Sequence, residues 1–148
     1  MAAPSTALAL LTICPRKVSA TNSSALTIPA GVFVVYDTAS GLQRSQPAVR
    51  TPTTGDTALK TYAGFSYTDA LAGDVFDICC MTGDVVIATA NGTVAIGDPI
   101  TVSSDSAKLG WGKTLGASAG LVLVGYAMTA ASNAGLFACR LSGTNVLP

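Results

Sequence analysis

Histidine and glutamate are absent from this 148-residue chain, and charge is scarce, with Asp, Lys and Arg making up only 11%. Each absence excludes a chemistry. Without histidine the usual general base at neutral pH is missing, and so is the imidazole of most transition-metal sites. Without Glu, and with few Lys, the chain offers little that favours helix. The formal net charge of zero speaks against nucleic acid, whose phosphates ask for a basic face. No run approaches the roughly 20 apolar residues of a membrane-spanning helix. Soluble domains carry charge at about a quarter of their positions. A surface this bare is expected to be covered by partners.

What remains is 49% hydrophobic and dominated by Thr, Ser, Ala, Gly and Val, a composition for strands and turns. The length suits one domain with arms, or one compact domain. The division expected is an N-terminal arm over residues 1–24 and a single β domain over 25–148. The four cysteines, Cys14, Cys79, Cys80 and Cys139, lack zinc spacing. They read as buried free thiols acting as small hydrophobes. A disulfide framework is not expected: the apolar run 7–13 is followed, not preceded, by Arg16 and Lys17, the wrong polarity for a secretion signal.

Residues 72–102 organise the rest. They read as short strands separated by tight turns, with Asn91-Gly92 between two apolar runs. That dipeptide predicts a two-residue hairpin in which Ala88 faces Ala95 and Ile87 faces Ile96. Ile87, Val94 and Ile96 would then form a bulky, core-facing side. Ala88, Ala90 and Ala95 would form a small-residue side beneath another sheet or at an interface. Gly-Asp pairs recur at 55–56, 73–74, 83–84 and 97–98. Gly takes positive φ and Asp bonds its local backbone, so these are turns. They are too widely spaced for a calcium loop.

Further strands are expected within 25–37, 58–68, 121–128 and 136–141, and an irregular polar tail after them. Residues 38–57 show no periodicity and read as a long loop, either solvated or contacting a partner. The whole predicts an all-β fold, a compact antiparallel sandwich or barrel of about eight to ten short strands with an extended N-terminal arm.

Residues 107–114 (AKLGWGKT) fit a permissive phosphate-loop pattern with Ala in place of the first Gly. A phosphate loop needs a strand before it and a helix after it. Here LGASAGLVLVG follows, two glycines and a β run, so a nucleotide site is rejected. No SxxK motif or paired carboxylates stand out either. The reading is of a non-enzyme without cofactor or metal.

From about Ala63 to Leu141 the chain resembles the small β-rich decoration, or cement, proteins of bacteriophage capsids. The residues that carry the likeness are Gly83-Asp84-Val85, TVAIGDPITV at 93–102, and LVLVGYAMTAASNAGLFACRLSG at 121–143. Within the last, Gly125-Tyr126-Ala127 looks like the penultimate strand and Arg140-Leu141 like the final one. The resemblance implies a structural virion protein on the outer capsid surface. It would be a homotrimer bridging neighbouring major capsid protein subunits and stabilising the head against the pressure of packaged DNA. Contact would be made by buried apolar area and by strand addition from extended arms. No direct nucleic-acid or membrane partner is implied. The partner-facing residues expected are Leu8, Leu10, Leu11 and Ile13 in the arm, Arg44 and Arg50 in the 38–57 loop, and Trp111. The alternative is a receptor- or glycan-binding β module of a virion fibre or tail, using Trp111 with Tyr126.

Overall fold

The computed structural model describes residues 12–37, 42–43, 46–53, 62–103, 105–116 and 122–146. Eleven strands and no helix lie among them, so the fold is all-β as expected. Six strands come from the first half: β1 (Val18–Asn22), β2 (Phe33–Tyr36), β3 (Leu42–Gln43), β4 (Gln46–Arg50), β5 (Tyr62–Ser66) and β6 (Val75–Cys79). Five come from the second: β7 (Val85–Thr89), β8 (Pro99–Val102), β9 (Gly112–Thr114), β10 (Val122–Ala127) and β11 (Leu136–Val146).

Each half closes into its own barrel. In the first, the order β1-β6-β5-β2-β4 returns to β1 because Thr21 and Asn22 pair in parallel with Ala48 and Val49, and β3 hangs on β4. In the second, β7-β11-β10-β8-β9 closes through a parallel bridge between Ala90 and Gly112.

The two barrels are a duplication. Gly64 to Cys79 aligns without a gap on Gly125 to Arg140, matching Gly64 to Gly125, Thr68 to Thr129, Ala70 to Ala131 and Phe76 to Phe137. The backbone repeats with the sequence. Phe65 pairs with Cys79 as Tyr126 pairs with Arg140, and Ser66 with Ile78 as Ala127 with Cys139. Ala20 pairs with Phe76 as Ala88 pairs with Phe137. The isolated bridge Ile28–Ala70 recurs as Val94–Ala131. Gly73, at φ 81°, corresponds to Ala134, the one non-glycine among the described residues with positive φ, at 66°.

The Gly-Asp turns are built as the sequence predicts. Gly73, Gly83 and Gly97 have φ of 81°, 93° and 87°. The following aspartate accepts from the backbone N–H three residues earlier: Leu71 to Asp74 at 3.1 Å, Met81 to Asp84 at 3.2 Å, Ala95 to Asp98 at 2.9 Å. The Gly55-Asp56 pair lies outside the described residues.

The Asn-Gly hairpin does not form. Gly92 has φ 89° but Asn91 does not share it, and a type I′ turn needs both. The chain instead runs across the barrel end. Asn91 N–H donates to Gly112 O at 2.8 Å, and Val94 bridges Ala131. β7 takes β11 as its partner, so Ile87 stands opposite Ala138 rather than Ile96. The faces hold only in part: Val94 is buried in the core as expected and Ala95 is exposed, but the other positions depart from the pattern. Ala88 and Ala90 are fully buried and Ile96 is 73% exposed. Small residues line the interior because Phe137 fills it: a Cβ on Gly112 would come within 2.8 Å of its ring.

Three further expectations are corrected. The 38–57 segment contains β3 and β4; β4 pairs in parallel with β1, and its Pro47 hides any alternation. The tail is not irregular, since β11 continues to Val146, where Val122 pairs with Val146. Cys14 and Cys79 are joined in a disulfide, with Cα atoms 5.8 Å apart. Only Cys80 and Cys139 are free thiols. Of the expected arm, residues 1–11 lie outside the described residues, and Val18–Asn22 is β1 of the first barrel.

Inward residues of the first barrel (Ala20, Ile28, Val34, Val49, Ala63, Phe76 and Ile78) make one core. Its outward residues Phe33, Val35, Tyr62, Phe65 and Cys79 join the core of the second barrel. Phe33 packs edge-on to Phe65 at 5.1 Å between centroids and tilted against Tyr62 at 6.1 Å. Phe33 N–H donates across the junction to Gly110 O at 2.9 Å. The barrels are thus fused by an aromatic seam, not by a linker alone.

Candidate interaction surface

Among the described residues no group of three or more Cys or Asp side chains is placed to hold a metal ion, and no pocket opens. The free thiols are poor nucleophiles. Burial pushes Cys139 up to about 12, and burial, then the nearby Asp84 carboxylate, raises Cys80. Both stay protonated near neutral pH. Burial likewise raises Tyr62, whose hydroxyl sits inside the seam with no hydrogen-bond partner. The phosphate-loop pattern resolves into a turn and β9, which pairs antiparallel with β8. Lys108 Nζ donates to Asn133 Oδ1 at 3.0 Å, and that oxygen also accepts from Gly92 N–H.

The residues expected to face partners fall on separate elements. Leu8, Leu10, Leu11 and Arg44 lie outside the described residues. Ile13 has its backbone paired both ways with Val85, at 2.7 and 3.0 Å, while its side chain is 60% exposed. Arg50 ends β4, half-buried, with Nη1 donating to Thr51 O at 3.2 Å. Trp111 is half-buried beside β9, with the Lys108 ammonium 5.8 Å from its ring centroid. Trp111 and Tyr126 are not brought together. Tyr126 stands opposite Pro99 at the start of β8, whereas Gly112, next to Trp111, stands opposite Val102 at its end.

A wider set of exposed apolar side chains surrounds Tyr126, the one member of it that the sequence pattern points to. Tyr126, Met128 and Leu136 are 46%, 44% and 53% exposed on the outer side of β10 and β11, with exposed Arg140 beside them. The signal was the duplication: the residue matching Tyr126 is Phe65, which is 1% exposed.

No protein-family profile and no curated protein matches the chain. Among solved structures, the chain is similar to the head fiber gp8.5 N base of bacteriophage phi29, at 17% identity and a TM-score of 0.57, over 88% of this chain and 98% of that one. The two share a fold.

Proposed function

We propose that this protein is a structural component of a bacteriophage virion, seated on the outside of the head. The observation that carries this reading is the likeness to a head fiber base over nearly the whole of both chains. The molecule's chemistry supports it. A pair of fused, closed barrels with protonated thiols, little charge and exposed apolar side chains is suited to holding surfaces together.

On this reading the partners are the major capsid protein and further copies of the chain, three being the number its resemblance to cement proteins implies. The protein bridges neighbouring capsid subunits and so stabilises the head against internal pressure. Many weak apolar contacts, repeated over several copies, add through effective concentration rather than through any single strong contact. The test is co-sedimentation of the full chain with purified heads that lack it. Saturable binding and a higher temperature of head disruption are expected. Chain that stays in the supernatant at every concentration would end the reading.

A further inference from the structure

The duplication shows where one barrel surface is used twice. On the first barrel, the outward row Phe33–Phe65–Cys79 crosses β2, β5 and β6, and its residues are 0%, 1% and 0% exposed because the second barrel and, at Cys79, the bonded Cys14 cover them. On the second barrel the matching row is Pro99–Tyr126–Arg140, crossing β8, β10 and β11. Among the described residues it is left largely uncovered: Tyr126 is 46% exposed, Arg140 is exposed and Pro99 is half-buried. Met128 and Leu136 extend the same face at 44% and 53% exposed.

We propose that this outer face of the second barrel is a docking site for a second copy of the chain. The occupant follows from the contact inside the molecule. This fold already seals the same row against a barrel of its own kind. That contact is one-way: the first barrel's row faces the second, and the second barrel's row faces away. One-way contacts between like units pass on to the next copy and close as a ring or extend as a filament. The side chains suit the role, since Tyr and Arg are the commonest anchors of protein interfaces. The inference rests on the duplication; it shares with the proposed function the expectation of further copies of the chain, whereas attachment to the head is tested separately by co-sedimentation.

The experiment is native mass spectrometry and sedimentation of the full chain at micromolar concentration, without heads. It compares wild type with Tyr126→Lys and with Ile96→Lys, a control at an apolar position 73% exposed and off this row. Wild type and Ile96→Lys are expected to give one discrete oligomer. Tyr126→Lys is expected to associate at least about tenfold more weakly. A thermal melt checks that each variant folds; if Tyr126→Lys does not, Leu136→Lys on the same face is read in its place. A wild type that remains a single chain throughout, or an oligomer unchanged by the substitution on this face, would overturn the proposal.

Discussion

Gly125 has no room for a side chain: a Cβ there would run into the carbonyl oxygen of Arg140 on the neighbouring strand. Gly64 meets the carbonyl of Cys79 in the same way, at 2.7 Å. The crowding atom is backbone in both cases, so relief requires the strands to part. Gly125→Ala and Gly64→Ala should each cost about 1–3 kcal/mol, the range of an overpacked core. Gly116→Ala, where a Cβ would meet nothing within 4 Å, should stay within about 0.5 kcal/mol of wild type. Denaturant midpoints at constant slope measure all three.

The matched turns make a second comparison. Gly73 and Ala134 hold the same left-handed position, at φ 81° and 66°, and only the first has the residue that tolerates it freely. Gly73→Ala should lose about 1 kcal/mol, since an L side chain there is strained. Ala134→Gly should gain about 0.5 kcal/mol, the relieved strain being partly offset by the freer unfolded chain. Opposite shifts of the thermal midpoint in the two variants are the expected result.

The disulfide ties the segment before β1 to β6 across 65 positions of sequence. Restricting so long a loop in the unfolded chain stabilises by about 4 kcal/mol. A reducing agent should therefore lower the melting temperature, and Cys14→Ser should lower it by the same amount and abolish the effect of the reductant. Cys80→Ser should leave that response intact, because Cys80 is outside the bond.

Alkaline pH should act through Cys139. Its thiol is raised from 9.0 to about 12 by burial, so the folded state resists losing a proton that the unfolded state gives up. Below pH 9 both states are protonated and stability is unaffected. Between about 9 and 12 the folded state holds more protons, and stability falls by on the order of 1 kcal/mol per pH unit. Cys139→Val, whose counterpart in the first barrel is Ile78, should reduce this slope in denaturant titrations across that range, with a remainder of the same sign from Cys80 and Tyr62, which burial also raises.

The all-β class and the Gly-Asp turns were legible because each depends on local chemistry: strand-favouring composition and residues that accept positive φ. The barrel pairing was not, because it depends on partners far along the chain. Asn91-Gly92 carries a hairpin signal, yet pairing of β7 with β11 draws the chain the other way. β4 was missed because Pro47 and Gln46 interrupt any alternation and its partner β1 is parallel. The duplication escaped notice because few residues repeat identically: Gly64, Thr68, Ala70 and Phe76 hold the spacing while their neighbours change. The exposed face around Tyr126 becomes meaningful only once its buried twin, Phe65, is known. The disulfide joins cysteines that no spacing rule connects.

Closure of both barrels has a further consequence. A ring of strands satisfies the hydrogen-bonding groups along its own edges, and even the start of β7 is occupied by Ile13. A chain with little charge to keep neighbours apart thus has, in its two rings, few of the open strand edges that seed aggregation. Strand addition, the attachment implied by resemblance to cement proteins, would find its edge outside the rings, where β3 pairs with β4 alone among the described strands. A contact made on the walls of the two rings would be made by side chains instead. Contacts of that kind form and part with both rings left intact.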